Sequence, residues 1–337
     1  MLTKNPFEGK KEINIVFIGG SITEGAHSSS ADTSYFGLCK KWFTEQFKDQ
    51  TVFCHNAGIG GTGSNFGMVR VDQDVISKNP DMVFVEFAIN DGQKDSRCTM
   101  ESIVRKLLAM EKVPYVVFLY TSRNTYDTIT KYHEEIAEYY GIPEINLIEP
   151  LNTALGGKNP IEVGYFKDTV HPLDAGHKIY ADTITARLLD DSAYVRPLCK
   201  EKMMDDTLLV SAVFTPSTRF EHSAGWEEKR QHRNYECLYT DIPGETVSFE
   251  FDGNFLAMEF GLHKESGIIE VVVDGKFVKD VEAYYDMVSF QCVYSDISSD
   301  LGMGHHKVTL TLKENKNEQH PGSKYMIYHI ITGVATK

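Results

Sequence analysis

The sequence of 337 residues lacks long apolar runs, a surplus of basic residues and any low-complexity tract. No stretch approaches the ~20 apolar residues that a membrane-spanning helix needs, so no membrane partner is expected. Lys and Arg total 34 against 48 Asp and Glu, which gives a formal charge of −14 and argues against nucleic acid as a partner. The absence of low-complexity segments argues against disorder.

Paired cysteine motifs are also absent. The six cysteines are widely scattered and form neither CxxC pairs nor the dense framework of a disulfide-rich scaffold. We expect free thiols, which are typical of a reducing compartment. Residues 1–20 contain only a short apolar run that predicts a buried strand rather than a secretion signal. Together these features predict a cytoplasmic location.

The length and the change of pattern along the chain indicate two domains. Up to about residue 190, apolar runs alternate with segments of helical period, which is typical of βαβ units and a parallel sheet. We therefore predict a three-layer α/β/α domain over residues 1–198, with five parallel strands. The predicted strands are 13–18, 51–55, 82–88, 115–120 and 144–148, and the predicted helices lie near 35–43, 64–77, 103–108, 129–140 and 173–188.

After residue 200 the helical period disappears. Short β-branched or aromatic runs at 246–251, 255–260, 268–273, 307–312 and 326–331 are separated by turn residues. Asp274-Gly275 between two such runs is a hairpin signal. We predict an antiparallel, jelly-roll-like β-sandwich over residues 205–337, joined by a linker near residues 195–206.

Four segments with polar or small residues stand at the ends of the predicted strands or before the last helix. Ser21 follows the first strand, the glycine-rich loop 58–63 follows the second and Asn90 follows the third. Asp168 and His171 precede the last helix. Because the carboxyl ends of parallel strands meet at one edge of a sheet, we expect these segments to converge.

These residue types are the ones that ester hydrolysis requires. The reaction needs a nucleophile, a base, a carboxylate that orients the base, and donors aimed at the developing oxyanion. Ser21 could supply the hydroxyl and His171 the base, with Asp168 three residues earlier in the same loop to orient it. The side-chain amide of Asn90 and a backbone N–H of Gly61, or less favourably of Gly60, could serve as donors.

The segments GGSIT, NAGIGGTG, AIND and DTVHP resemble, in order, the four sequence blocks of the SGNH (GDSL-like) hydrolase family, over roughly residues 11–190. The resemblance implies a flavodoxin-like fold and a serine esterase that acts through an acyl-enzyme without a metal or organic cofactor. It implies a catalytic triad of Ser21, His171 and Asp168, and an oxyanion hole formed by Ser21, Gly61 and Asn90. It further implies a small acyl ester substrate, with acetyl groups on a carbohydrate as the first candidate.

The sequence departs from the family pattern at two positions. Gly20 stands where the family usually has aspartate, and Ala88 stands where it usually has glycine. Neither change removes a group that the mechanism uses, but both reshape the wall of the pocket.

Two other functions stay open at this stage. Gly58, Gly60 and Gly63 match the spacing of a dinucleotide-binding fingerprint, and Glu86 could hold a ribose. That fingerprint normally follows the first strand of its unit, whereas this one follows the second. Alternatively, the chain could be a glycan-binding module that carries a vestigial hydrolase.

The second domain leaves its own role open, including whether it builds a homo-oligomer. Trp226 and the pair Tyr284-Tyr285 could form a sugar platform, although burial in the core is the favoured interpretation. His305-His306 are expected in a solvated turn rather than at a metal, because neighbours on a strand point to opposite faces.

Overall fold

The computed structural model describes residues 5–92, 94–231, 234–286, 291–314 and 322–337. The chain forms two compact units, of which the first ends at Leu209 and also takes in Lys337, while the second is Val210–Thr336. Among the described residues, no helix combines the length and the apolarity that crossing a membrane requires.

The stretch that the sequence suggests as a linker is held against the first unit. Leu198 donates its backbone N–H to the carbonyl of Tyr140 at 2.7 Å. The buried carboxylate of Glu101 accepts hydrogen bonds from the backbone N–H of Met203, and from that of Met204 at 2.9 Å. The first domain therefore continues beyond residue 198.

The first domain is built on a parallel sheet whose strand order is β2-β1-β3-β4-β5. The strands are β1 (Glu12–Gly19), β2 (Thr51–Gly58), β3 (Met82–Glu86), β4 (Tyr115–Tyr120) and β5 (Glu144–Asn146). Both the sheet and its five strands confirm the predicted fold class. The direction in which successive strands are added to the sheet reverses at β1. The carboxyl ends of β1 and β3 therefore flank the crevice where such sheets bind ligands.

Helices cover the sheet on both faces because successive residues of its central strands, whose side chains point to opposite faces, are both apolar. On β1, Ile15 and Phe17 belong to one buried cluster, and Val16 and Ile18 belong to the other. The helices are α1 (Ser21–Glu24), α2 (Tyr35–Gln46), α3 (Ser64–Asp74), α4 (Ser96–Leu108), α5 (Lys131–Tyr140), α6 (Ile148–Leu155) and α7 (Asp174–Leu188). Two of them, α1 and α6, are not predicted from the sequence, and the strand expected at 144–148 gives way to α6 after Asn146.

The second domain consists of two antiparallel sheets, which confirms the predicted sandwich. One sheet has the order β13-β12-β15-β10-β7, and the other has β14-β11-β16-β9-β8 with β6 paired to β16. Its strands are β6 (Leu209–Pro216), β7 (Glu221–His222), β8 (Glu227–Gln231), β9 (Tyr235–Thr240), β10 (Thr246–Gly253), β11 (Phe255–Leu262), β12 (Ile268–Val273), β13 (Lys276–Glu282), β14 (Gln291–Ser298), β15 (Gly304–Leu312) and β16 (Tyr325–Thr336).

Local details of the sandwich match two expectations and correct two others. Asp274 and Gly275 have φ of 53° and 75° and connect β12 to β13, as the hairpin signal predicts. Trp226 is buried in the core of the domain, as expected, whereas Tyr285 is 56% exposed, so the expectation of burial in the core is wrong for Tyr285. The expectation of a solvated turn at His305-His306 is wrong: both residues lie in β15, where His306 is buried and bonds Asp274.

Candidate active site

Four separate loops of the first domain meet at the carboxyl edge of its sheet. Ser21 begins α1 directly after β1, and Asn90 lies in the turn after β3. The glycine loop after β2 approaches Ser21, since a Cβ atom built on Gly60 would lie 3.6 Å from the Ser21 Cβ. His171 reaches the same place from the loop before α7, where it contacts the Ser21 hydroxyl.

A continuous chain of hydrogen bonds joins the three residues of the expected triad. The Ser21 Oγ lies 2.8 Å from the His171 Nε2, and the His171 Nδ1 lies 2.8 Å from the Asp168 Oδ2. Because the carboxylate accepts at Nδ1, that nitrogen carries the ring proton and Nε2 is left to accept from the hydroxyl. The arrangement presents a hydroxyl next to a correctly oriented base.

Asp168 is held as an anion by its own loop. Its Oδ1 accepts backbone N–H groups from Val170 at 2.9 Å and from His171 at 3.0 Å. Burial works to raise the pKa of Asp168, but these N–H groups and the His171 ring outweigh it and hold the pKa below its ordinary value. An ionised carboxylate at neutral pH stabilises the His171 ring in one tautomer and, during reaction, as a cation.

Backbone contacts fix the loop that carries Asp168 and His171. Lys167 donates its N–H to the carbonyl of His171 at 2.9 Å, and Phe166 and Pro172 form an isolated antiparallel bridge. Asn124, in the loop after β4, donates its N–H to the carbonyl of Thr169 at 2.9 Å. These contacts limit the orientations that the base can adopt.

In the glycine loop, the backbone N–H of Gly60 is already hydrogen-bonded, whereas that of Gly61 can serve as a donor. The N–H of Gly60 donates to the carboxylate of Glu24 at 2.7 Å and is therefore engaged. Gly61 has φ of 74°, in the left-handed region that favours glycine. Among the described residues, no protein acceptor is recorded for its N–H, so Gly61 is the better candidate of the two. The Ser21 N–H is at the first turn of α1 and has no intrahelical partner.

The presence of glycine rather than the family's usual aspartate at position 20 has a steric explanation. A Cβ atom built on Gly20 would lie 2.4 Å from the Oδ1 of Asn90, which is far too close. The Asn90 side chain thus occupies the space that the usual aspartate would need. With Oδ1 packed against Gly20, the other branch of the amide is the Nδ2 donor.

Two buried contacts that the sequence did not indicate stabilise the walls of the site. Asp91, next to Asn90, accepts from the N–H of Ser64 at 2.9 Å and lies 2.9 Å from the Nε2 of His133 on α5. This links the turn after β3 to the start of α3 and to α5. A polar residue among the apolar positions of α5 was the only signal for His133.

Arg70 on α3 makes the second of these buried contacts. It is 1% exposed, and it donates to the carbonyl of Gly19 at 3.0 Å and to that of Ala57 at 2.6 Å. These carbonyls belong to the ends of β1 and β2, directly before Ser21 and the glycine loop. Arg70 therefore holds the two strand ends together beneath the nucleophile.

Glu86, at the end of β3, is buried under the same turn. Its carboxylate accepts from the hydroxyl of Thr23 at 2.8 Å and from that of Thr121 at 2.9 Å. Burial raises the pKa of Glu86 to about 7, although both hydroxyls and a backbone contact at Gly20 work to lower it. Because it is enclosed and already bonded, Glu86 does not offer a carboxylate to a ribose.

We expect the carboxyl of Glu86 to make the free energy of unfolding fall as the pH rises. The fold binds a proton on this carboxyl more tightly than the unfolded chain, so the free energy of unfolding decreases between about pH 4.5 and pH 7. Glu86→Gln imitates the protonated form and should remove about 3 kcal/mol of this loss at pH 8. Urea unfolding at pH 5 and pH 8, followed by Trp42 fluorescence in a Trp226→Phe background, checks it. Equal pH dependence with and without Glu86 would contradict the assignment.

A cleft of about 410 Å³ opens beside Gly61 and Asn90. Its lining is mainly polar or glycine and includes Asn65, Asp95 and Thr99. Gly61 and Asn90, two of the three expected oxyanion donors, therefore lie on the wall of this cleft.

His27 also lies at the site, although the sequence did not mark it. Its ring centroid is 5.2 Å from that of His171, and its Nε2 is 3.9 Å from the Asp168 Oδ2. Among the described residues, His27, Asp168 and His171 form the one group of three whose ligand atoms could share a metal ion.

Comparison with known proteins adds to this geometry. A sequence model of the GDSL-like Lipase/Acylhydrolase family matches residues 17–179, a range that contains every residue of the expected triad and oxyanion hole. The first domain belongs to that family. The protein is accordingly an SGNH-type esterase, and the alternative of a dinucleotide-binding protein is not supported.

Solved structures share the architecture of this esterase. A two-domain esterase (CEX) active on acetylated mannans, co-crystallized with mannopentaose, matches with a TM-score of 0.81 and 23% identity over 97% of this chain and 92% of that one. A second structure of CEX matches with a TM-score of 0.79 and 24% identity over 96% and 92%. These identities establish the fold alone.

A structure of Axe2, an acetylxylan esterase from Geobacillus stearothermophilus, matches with a TM-score of 0.45 and 20% identity, over 52% of this chain and 94% of that one. This weaker likeness adds nothing to the fold assignment. No functionally curated protein is significantly similar to the chain.

Proposed function

We propose that this SGNH esterase removes small acyl groups, acetyl above all, from carbohydrate esters, with Ser21, His171 and Asp168 as its catalytic triad. The observation that carries the proposal is the hydrogen-bonded chain from the Ser21 hydroxyl through the His171 ring to the Asp168 carboxylate, with contacts of 2.8 Å at both steps. Such a chain is the geometric signature of a nucleophile, a base and an orienting group.

Acylation follows from this geometry. The Ser21 Oγ attacks the ester carbonyl carbon while its proton moves to the His171 Nε2. The resulting tetrahedral intermediate carries a negative oxygen. When it collapses, the bond to the sugar oxygen breaks and that oxygen takes the proton from His171, so an acyl-Ser21 ester and a free sugar hydroxyl are formed.

Deacylation repeats the steps with water as the nucleophile. His171 takes a proton from water, whose oxygen attacks the acyl carbon, and then returns a proton to the Ser21 Oγ as the acid leaves. Asp168 stays ionised throughout and stabilises the charged imidazole. Every group in the cycle is regenerated, and this pathway calls for no metal or organic cofactor.

Three donors surround the place where the negative oxygen forms. We assign the backbone N–H groups of Ser21 and Gly61 and the Nδ2 of Asn90 to this role. Pre-positioned donors contribute much of the rate of acyl transfer because they need no reorganisation as charge develops. The engagement of the Gly60 N–H by Glu24 supports the choice of Gly61.

The substrate class rests on the cleft and on the fold. Asn65 and Asp95 offer hydrogen-bonding groups that suit sugar hydroxyls better than a long acyl chain. The two-domain esterase of the same fold is active on acetylated mannans. We therefore take acetylated polysaccharide as the first substrate to test.

Asn90→Ala should lower kcat by roughly 10²–10³-fold, because it removes one donor from the developing oxyanion. The effect should fall on kcat rather than on KM, since the donor is needed mainly in the transition state. Kinetics with p-nitrophenyl acetate measure both constants. Asn152→Ala, on α6 and away from the site, is the matched control. A change confined to KM would assign Asn90 to ground-state binding instead.

The proposed substrate class is tested by measuring acetate released from acetylated mannan and acetylated xylan, beside a series of p-nitrophenyl esters from acetyl to dodecanoyl. We expect release from at least one polysaccharide and a rate that falls steeply beyond the shortest acyl chains. Highest activity on the long chains, with no acetate from either polysaccharide, would contradict the proposal.

A further inference from the structure

His27 has features that the hydrolytic mechanism does not use. Its side chain is 43% exposed, yet its φ of 62° places a residue other than glycine in the left-handed region. Residues with a side chain adopt this conformation only uncommonly. The ring that this backbone presents faces both the carboxylate of Asp168 and the ring of His171.

The surrounding contacts come from α7. The buried His177 accepts the N–H of Tyr35 at its Nδ1 and therefore donates from its Nε2 to the carbonyl of Ala26, at 3.3 Å. On the other side of His27, Asp174 accepts from the N–H of Ser29 at 2.7 Å and from the Ser29 hydroxyl at 2.6 Å. Both anchors lie within six residues of His171, so the two imidazoles share one rigid frame.

We propose that His27, Asp168 and His171 form a binding site for Zn²⁺ or Cu²⁺ whose occupation switches the esterase off. One ligand atom from each residue lies within 4.8 Å of the other two. In a tetrahedral zinc site with bonds of about 2.0–2.2 Å, neighbouring ligand atoms are roughly 3.3 Å apart. The contacts of 2.8 Å from Asp168 to His171 and 3.9 Å from Asp168 to His27 bracket that spacing, so small side-chain movements complete the site.

The ligand chemistry selects the metal. Two imidazole nitrogens and one carboxylate oxygen suit zinc and copper(II), whereas calcium and magnesium prefer sites made of oxygen alone. Water supplies a fourth ligand, since His27 and Asp168 are 43% and 44% exposed and solvent reaches them. Among the described residues, the hydrogen bonds to the Asp168 carboxylate come from Val170 and His171, which leaves lone pairs for the ion.

Binding of the ion at either nitrogen of His171 inhibits the enzyme. This step rests on the proposed triad. An ion at Nε2 takes the lone pair that would accept the Ser21 proton. An ion at Nδ1 displaces the proton from that nitrogen, and the neutral ring then carries its single proton on Nε2. In both cases the ring has no free lone pair for the hydroxyl, so acylation stops.

The activity test uses metal-free enzyme and p-nitrophenyl acetate, with each variant compared with its own rate before metal is added. We expect micromolar Zn²⁺ to inhibit, EDTA to restore the rate, and millimolar Ca²⁺ or Mg²⁺ to have no effect. His27→Ala and His27→Gln should each raise the half-inhibitory zinc concentration at least tenfold. His305→Ala, an exposed histidine of the second domain, is the matched control and should leave that concentration unchanged.

A binding test separates this proposal from the proposed function. Co²⁺ added to the Ser21→Ala variant should give the strong visible absorption of a low-coordinate site at one ion per chain, and the further change His27→Ala should abolish it. These spectra need no esterase activity. Equal zinc inhibition with and without His27, or cobalt spectra that do not depend on His27, would overturn the proposal.

Discussion

Ser21→Ala should abolish ester hydrolysis, with kcat for p-nitrophenyl acetate falling by at least ~10⁴-fold. Without the Oγ no acyl-enzyme can form, and His171 is left with no proton to accept from a positioned hydroxyl. The residual rate should match direct attack by water with help from the remaining oxyanion donors. Steady-state kinetics measure the loss, and mass spectrometry of the quenched enzyme should show an acetyl adduct in the wild type only.

The exposed Ser77 provides the control for this change. Ser77→Ala removes a hydroxyl far from the site and should retain the wild-type rate. Matching circular dichroism of both variants would show that the loss in Ser21→Ala is chemical rather than structural. An active Ser21→Ala variant with an acetyl group on another residue would move the nucleophile elsewhere.

Asp168→Asn should reduce kcat by about 10⁴-fold while leaving the fold intact. An asparagine keeps the shape of the side chain, but its amide can donate to the His171 Nδ1. The ring then carries its proton on Nε2 and cannot accept from the Ser21 Oγ, which at 2.8 Å is otherwise its partner. The pH dependence of kcat tests this interpretation, since more alkaline conditions should recover part of the rate as hydroxide replaces the base.

Asp182→Asn is the control for the carboxylate. Asp182 lies on α7 with its side chain 64% exposed and pairs with Lys178, so its loss should change the rate little. If Asp168→Asn retained the rate within tenfold, Asp168 would be only a structural residue of its loop.

The parallel sheet could be predicted because short apolar runs alternate along the sequence with segments of helical period. β1 and β3 are buried on both faces and read as continuous hydrophobic segments between turn residues. The site residues could be predicted for a related reason, since Ser21, Asn90 and His171 stand at strand ends or before a helix. The order of parallel strands brings such ends together. The four segments typical of one family then indicated which residues at these ends form the site.

The supporting contacts could not be predicted, because each depends on residues that only the folded chain brings together. Arg70 and Asp74 look like an ordinary surface pair on a helix, yet Arg70 is buried against the ends of two strands. His27 looks like a loop residue until α7 is seen to hold the loop against Asp168. No local pattern carries such information.

The second domain exposed a different limit of sequence reasoning. β8 reads EEKRQ and has no apolar alternation, because it is an edge strand with little burial on either face. α6 begins within a run that also suits a strand, and the short apolar segment does not distinguish the two. Edge strands and short helices of this kind are defined by their neighbours.

The most direct test of the proposed mechanism is a crystal structure of the esterase after reaction with a small alkyl phosphonate that imitates the tetrahedral intermediate. The proposed mechanism predicts a bond from phosphorus to the Ser21 Oγ, with the phosphonyl oxygen about 2.7–3.1 Å from the Ser21 N, the Gly61 N and the Asn90 Nδ2. A phosphonate attached to any other residue, or an oxygen that points away from these three donors, would contradict it.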